Sequence, residues 1–177
     1  KALTIVNYIG LGAASIVILR FLGVRFIVYL FLITSATDIF AYLFGVKYGK
    51  HKMVPHISPK KSWEGAIAGT VFATIIASSF ALFYGYVFYP GTWLGDLLNS
   101  TGELTLLDNF SSLGESNPLW VQALIIVPVT FLGSIFAQIG DLVASRMKRT
   151  YNIKDFGTIL PGHGGLLDRF DSVLFVA

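Results

Sequence analysis

The chain has 177 residues, of which 54% are hydrophobic and only 13% charged, against about 25% charged residues in a typical soluble domain. This composition excludes an ordinary soluble enzyme and indicates an integral membrane protein. The chain has no cysteine, which excludes disulfides and thiolate metal sites and leaves carboxylates as the natural metal ligands. The net charge of +3 comes from cations in short loops beside apolar segments, which favours membrane lipids and phosphate-rich ligands over nucleic acid.

Five apolar segments follow one another along the chain. A transmembrane helix needs about 20 apolar residues, and the segments fall at residues 4–19, 26–46, 65–89, 118–145 and from 166 onward. They predict an all-α, polytopic integral membrane protein with about five transmembrane helices in a single domain, residues 1–177. The chain begins without Met and stops within apolar sequence, so we expect the C-terminal part of a longer protein with its last helix truncated.

The charges of the connecting loops predict the orientation of these helices. Residues 47–64 contain five lysines and one glutamate, and residues 146–154 contain four cations. Residues 90–117 contain four acids and neither Lys nor Arg. Because loops rich in Lys and Arg stay in the cytoplasm, the first two loops are predicted to be cytoplasmic and the third to be an external surface connector. Arg20 and Arg25 do not fit this scheme, which places their short turn outside.

Polar side chains within the fourth apolar segment fall on one side of a helix. Asp141 shares a helical stripe with three other polar residues, Ser134, Gln138 and Ser145. A charged side chain at bilayer depth costs about 2.5 to 3.5 kcal/mol, so this stripe is predicted to face protein or water. Asp168 and Asp171, three residues apart at the start of the next helix, project from one face of it.

These aspartates form a candidate metal site. Oxygen ligands from Asp141, Asp168 and Asp171 on two neighbouring helices suit a hard cation such as Mg²⁺. Three carboxylates exceed what one Mg²⁺ usually takes from a protein, which leaves room for a second cation. In the alternative interpretation, Asp168 and Asp171 form structural ion pairs with Arg169 or Lys148.

A glycine-rich turn precedes that helix and consists of Gly162, His163, Gly164 and Gly165. Glycines let the backbone approach a ligand closely, and a helix N-terminus attracts anions, so the turn is a candidate phosphate site. The alternative is a flexible connection between helices. His163 could donate a hydrogen bond to a phosphate or cap the turn.

The stretch SRMKRTYNIKDFGTILPGHGGLLDRFD, residues 145–171, resembles the signature of the phosphatidate cytidylyltransferases, also called CDP-diacylglycerol synthases. The resemblance runs over 27 residues without a gap. Its residues are Ser145, Lys148, Arg149, Lys154, Asp155, Gly157, Pro161, His163, Gly164, Gly165, Asp168, Arg169 and Asp171. A second stretch, ISPKKSWEG at residues 57–65, resembles the family's cytoplasmic loop.

The resemblance implies transfer of CMP from CTP to phosphatidate, giving CDP-diacylglycerol and pyrophosphate. It implies Mg²⁺ on Asp141, Asp168 and Asp171. The catalytic residues would be these three aspartates together with Lys148, Arg149, Lys154 and Arg169. The substrate-binding residues would be Ser58, Lys60, Lys61, Ser145, Gly162, His163, Gly164 and Gly165. The active site would face the cytoplasm from the cell (inner) membrane, so that lipid enters from the bilayer and CTP from the cytoplasm.

Other interpretations of the charged residues remain open. Cations beside a membrane often only set topology or contact anionic lipid head groups. Lys60 and Lys61 follow Pro59, which restrains the backbone, and Trp63 would anchor their loop at the membrane interface. Asp38, on a stripe predicted to face the interior, could touch the nucleotide or a lysine, or be held by Tyr42 or a serine.

Two other functions fit parts of the sequence. One is a cation or proton transporter in which Asp38 and Asp141 form a relay, although a transporter has no need for a glycine turn flanked by lysines and two further aspartates. The other is a CTP-dependent enzyme acting on a related lipid, such as a lipid kinase or a CDP-archaeol-type synthase. Small residues such as Gly65 and Gly69 would let helices approach closely, in the core or in a homodimer.

Overall fold

A computed structural model of the protein describes residues 2–110, 117–151, 153 and 167–177, with the backbone alone at 2–5 and 167–171. The described part of the chain is mainly helical, as predicted. Its helices are α1 (Ala2–Leu22), α2 (Val24–Tyr48), α3 (Trp63–Leu82), α4 (Tyr84–Val87), α5 (Trp93–Leu98), α6 (Leu119–Thr150) and α7 (Leu167–Val176).

The long helices confirm an all-α, polytopic membrane protein. Three of them, α2, α3 and α6, are long and apolar enough to cross a membrane, and Val6–Leu22 within α1 is a shorter apolar helix. The predicted third span was too long, because α3 ends at Leu82 rather than Tyr89. There the backbone bonds to the following loop instead: Ala81 O accepts from Leu106 N at 2.8 Å, and Gly85 N donates to Leu104 O at 2.9 Å.

Helices α2 and α3 approach each other through small residues. A Cβ added at Gly65 would lie 2.5 Å from Ala41 O, and one at Gly69 would lie 2.7 Å from Thr37 O. Any side chain at either glycine would therefore force the two helices apart. The prediction of close approach is confirmed within the core for these two residues, while the homodimer stays a prediction.

Hydroxyl groups join α2, α3 and α6 in the interior. Thr130 Oγ1 on α6 lies 2.6 Å from Tyr29 Oη on α2 and accepts a hydrogen bond from Ser78 Oγ on α3 at 3.0 Å. Thr37 Oγ1 and Ser134 Oγ lie 2.7 Å apart. Each such contact within a membrane contributes about 0.6 kcal/mol, so together they fix how the three helices face one another.

The acidic loop does more than connect helices at the surface. Asn99, Thr105 and Leu106 are buried. Arg25 at the start of α2, itself only 6% exposed, places Nη1 2.9 Å from Glu103 Oε1 and donates from Nη2 to Asp108 O at 2.5 Å. The structure therefore corrects the interpretation of this loop as a surface connector, and it explains Arg25, whose charge is matched by the carboxylate of Glu103.

A two-stranded antiparallel hairpin, which the sequence did not predict, lies between α2 and α3. Strand β1 (Lys52–Val54) pairs with β2 (Ser58–Ser62). The hairpin joins α3 directly, because Ser62 is the N-cap residue and its Oγ accepts from Gly65 N at 3.2 Å. At the same junction, His51 Nδ1 lies 2.6 Å from Glu64 Oε1. The lysines of β2 are thereby held on an ordered element at one end of the bundle, called here the hairpin end.

Candidate functional site

A polar cavity of about 250 Å³ lies at the hairpin end, between α2, the hairpin, the first turn of α3 and α6. It is lined by Asp38, Ala41, Tyr42, Met53, Ser58, Lys60, Lys61, Ser62, Ala66, Gln138 and Asp141. Four residues that the sequence predicted as site residues, namely Ser58, Lys60, Lys61 and Asp141, thus share one cavity.

An ion pair between Lys61 and Asp141 crosses this cavity. Lys61 Nζ lies 2.5 Å from Asp141 Oδ2, and their side chains are 25% and 29% exposed. Lys61 Nζ also donates to Gln138 O at 3.4 Å. A lysine from the hairpin therefore reaches an aspartate within an apolar helix, and both charges remain accessible to a ligand that enters the cavity.

The polar stripe of α6 faces protein and the cavity, as predicted. Ser134 is fully buried against Thr37. Gln138 Nε2 donates to Ala66 O at 3.1 Å and to Thr70 Oγ1 at 2.8 Å. These contacts between α6 and α3 fix the rotation of α6, which directs Asp141, on the same stripe, toward the cavity.

Asp38 also lines the polar cavity and is an exposed residue. One turn before it, Thr34 is buried and its hydroxyl donates to Leu30 O at 3.2 Å. The cavity therefore contains two aspartates, Asp38 from α2 and Asp141 from α6, together with two lysines of the hairpin. This arrangement combines negative oxygen ligands with cations that can meet phosphate.

The serines of the hairpin have different roles. Ser58 is partly buried and lines the cavity. Ser62 is buried and its oxygen caps α3, so its contribution is first of all structural. Trp63, predicted to anchor the loop at the membrane interface, is 55% exposed, which suits that role.

Three further predicted residues lie on the last turns of α6, outside the lining of the cavity. Ser145 and Lys148 are partly buried and Arg149 is exposed. Cations in the last turn of a helix also interact favourably with its dipole. Their position, one to two turns beyond Asp141, makes them neighbours of the cavity rather than parts of its wall.

The remaining predicted residues are only partly covered. Lys154, Gly162, His163, Gly164 and Gly165 lie outside the described residues. Asp168, Arg169 and Asp171 lie on α7, of which the backbone alone is described at these positions.

Helix α7 packs closely on α6 next to Asp141. A Cβ added at Gly140 would lie 2.5 Å from Phe175 Cβ. Asp171 precedes Phe175 by one helical turn, about 6 Å along the axis. The contact places Phe175, near the end of α7, against the residue that precedes Asp141, and the approach of Asp168 and Asp171 to Asp141 stays a prediction.

The described residues fit part of a metal site. Carboxylate oxygens suit Mg²⁺, and Asp38 and Asp141 supply them to one cavity. Within the described ranges no three His, Asp or Glu side chains converge, and the side chains of Asp168 and Asp171 lie outside those ranges. The donor set is thus compatible with Mg²⁺, and the full ligand set stays a prediction.

Seven of the eleven residues that line the cavity were not among the predicted site residues, and two of them, Gln138 and Met53, show why. Gln138 was placed on the polar stripe of α6 but given no site role, although its periodicity was a usable signal. Met53 enters the cavity only because the hairpin folds over it, and no local feature of the sequence indicates that.

Comparison with known proteins gives a consistent result over the whole chain. Residues 2–177 match the model of a family described as the cytidylyltransferase family. Proteins named phosphatidate cytidylyltransferase are similar to the chain over 171 residues: one from Staphylococcus aureus (strain COL) is 40% identical and one from Staphylococcus haemolyticus (strain JCSC1435) is 38% identical. Each alignment covers 97% of this chain and 53% of the relative, so the chain spans about half the length of the curated relatives it matches.

Proposed function

This chain belongs to the cytidylyltransferase family, and we propose that it transfers CMP from CTP to phosphatidate, forming CDP-diacylglycerol and pyrophosphate. The relatives named above carry the corresponding name. The observation that carries the proposal is the cavity at the hairpin end, where Lys61 meets Asp141 on a membrane helix. Cations and carboxylates at this position suit phosphate transfer at a membrane surface.

The reaction needs positioning and charge neutralisation more than covalent chemistry by the protein. An oxygen of the phosphatidate phosphate attacks the α-phosphorus of CTP, and the bond from that phosphorus to the bridging oxygen of the β-phosphate breaks. The electron pair leaves with pyrophosphate. The nucleophile is already an anion near neutral pH, so no serine or histidine nucleophile is required. Both substrates are anionic, and fixed cations must offset their repulsion.

Lys60 and Lys61 supply such cations from an ordered strand. Both line the cavity, and the position of Lys61 is fixed by Asp141 and by the carbonyl of Gln138. A preorganised ammonium group binds phosphate without first having to be ordered. We propose that these two lysines hold the triphosphate of CTP, with Ser58 as a hydroxyl donor beside them.

The proposed metal ligands are Asp141, Asp168 and Asp171. Asp38 adds a carboxylate to the cavity that Asp141 lines. When bound, Mg²⁺ would supply positive charge against the phosphate oxygens, and three carboxylates leave room for a second cation. Lys148, Arg149, Lys154 and Arg169 are proposed to surround the phosphates, and the turn at residues 162–165 to bind one of them through backbone N–H groups.

The transporter alternative has less support. Asp38 and Asp141 do line one cavity, as a relay would require. A relay between carboxylates does not explain two lysines in the same wall, whereas phosphate binding does. Membership of the cytidylyltransferase family also favours the enzyme over the transporter.

The test uses the full-length protein in detergent with CTP, Mg²⁺ and phosphatidate, and measures pyrophosphate and the lipid product. We expect Asp141→Asn to abolish turnover without unfolding the protein, and Lys61→Ala to raise the apparent KM for CTP. Lys52→Ala is the matched control, because Lys52 is an exposed lysine of the same hairpin outside the cavity lining. Wild-type kinetics in both Asp141→Asn and Lys61→Ala would refute the proposed site.

A further inference from the structure

A groove of about 600 Å³ runs along the outer surface of the bundle between α3 and α6. Its walls include Trp63, Ile67 and Val71 from α3 and Phe131, Ile135 and Ile139 from α6. Several of these side chains lie open on the surface, with Ile67 62% and Val71 47% exposed. The groove is therefore open at the surface of the described part of the chain.

The lining of the groove is almost entirely apolar. Thr70 and Gln138 are the polar residues in it, and they are hydrogen-bonded to each other at 2.8 Å. No charged side chain is among the described residues that line it. Such a surface suits a hydrocarbon chain and offers little to a nucleotide or an ion.

The length of the groove matches one leaflet of a bilayer. From Trp63 to Val71 the axis of α3 advances about 12 Å, and from Phe131 to Leu142 that of α6 advances about 16 Å. Half of the hydrocarbon thickness of a bilayer is about 15 Å. A transmembrane helix would need a contact surface of about twice that length, so the groove fits a single acyl chain better than another helix.

The groove and the polar cavity share part of their walls. Met53, Ala66 and Gln138 line both. On one side of this shared wall stand the lysines and aspartates, and on the other the apolar groove. A molecule with a phosphate at one end and a hydrocarbon chain at the other matches both sides at once.

We propose that the groove between α3 and α6 binds one acyl chain of the phospholipid acceptor while its phosphate occupies the polar cavity. The inference rests on the proposed function and adds the place where the lipid substrate is held. Trp63 lies at the end of the groove nearest the hairpin. Tryptophan side chains favour the level of the lipid head groups, which suits a phosphate bound at this end.

The test compares long-chain with short-chain phosphatidate in the full-length protein. Ile67→Trp fills the groove, and Ile75→Trp is the control, because Ile75 lies on the same helix with a similar exposed fraction of 57% and is not among the described residues lining the groove. We expect Ile67→Trp to raise the apparent KM for dioleoyl phosphatidate about tenfold. The KM values for CTP and for dihexanoyl phosphatidate should stay within about twofold of the wild type, as should all values for Ile75→Trp.

A second measurement does not depend on turnover. Phosphatidate with a photoreactive diazirine in one acyl chain is irradiated with the wild-type protein, and the labelled peptides are identified by mass spectrometry. We expect label on residues 63–71 and 131–142, displaced by unlabelled dioleoyl phosphatidate. Label confined to other helices would overturn the inference, even if Ile67→Trp failed to fold.

The outcomes distinguish a failure of the proposed function from a failure of the proposed acyl-chain site. If the wild type forms no CTP-dependent product from either lipid, the proposed function fails. If the wild type is active but Ile67→Trp has the same apparent KM for dioleoyl phosphatidate as Ile75→Trp, the proposed acyl site is wrong and the proposed function stands. If Ile67→Trp raised the apparent KM equally for short-chain and long-chain phosphatidate, the acyl site would also be refuted, since this result would indicate that another helix or a second copy packs there.

Discussion

Replacing Arg25 by Met should strongly destabilise the protein, because it leaves a buried carboxylate without its partner. The side chains of Arg25 and Glu103 are 7% and 12% exposed and pair at 2.9 Å, and Arg25 also donates to Asp108 O. Removing one member of a buried ion pair typically costs about 3–5 kcal/mol. We therefore expect a loss of about that size in the free energy of unfolding.

The assay is reversible unfolding in mixed micelles, followed by circular dichroism as the fraction of SDS increases. Arg20→Met is the matched control, because Arg20 is an exposed arginine close by in the sequence, and its replacement should change the free energy of unfolding by less than about 0.5 kcal/mol. In the double variant Arg25→Met, Glu103→Gln neither charge remains buried, so most of the lost stability should return.

The comparison of the two arginines can contradict this reasoning. If Arg25→Met unfolds at the same SDS fraction as Arg20→Met, the ion pair contributes nothing to stability and the acidic loop is held by other contacts. If the double variant is less stable than either single variant of the pair, the effect comes from lost packing rather than from an unpaired charge.

Two further predictions concern the interior of the bundle. Gly65→Ala should lower the free energy of unfolding by about 1–3 kcal/mol through overpacking, because its Cβ would lie 2.5 Å from Ala41 O. Gly10→Ala is the control and should leave the free energy of unfolding unchanged, because a Cβ there would meet nothing within 4 Å. Equal unfolding curves for the two variants would contradict the close approach of α2 and α3. Thr130→Val should lose its contacts with Tyr29 and Ser78 and cost about 1 kcal/mol in the same assay, and an unchanged unfolding curve would show that these hydroxyls are not coupled.

Local regularities account for what could be predicted. Helical periodicity placed Ser134, Gln138 and Asp141 on one polar stripe, and the structure confirms that this stripe faces protein and the cavity. Placing a charge in lipid costs free energy, and this cost applies to each helix independently of the others. The class of protein therefore followed from composition. The family followed from a contiguous stretch of residues, and the comparisons confirm it.

The candidate site could be predicted only in part. Asp141 and Lys61 were each identified as site residues, but their direct contact depends on how the hairpin folds over α6. The roles predicted for Lys154, His163 and the turn at residues 162–165 stay predictions, as do the side-chain positions of Asp168 and Asp171.

Composition, helical periodicity and a contiguous motif were enough to predict the class of the protein, the approximate position of its apolar helices, its family and the polar stripe of α6, because each depends on neighbouring residues or on one helical period. The folded chain was needed to see that β1 and β2 form a hairpin, that Arg25 pairs with Glu103 and that Lys61 pairs with Asp141. The two ion pairs join residues far apart in the chain. They form because a buried or half-buried charge requires a partner, and which partner it meets is decided by the packing of helices rather than by any local pattern.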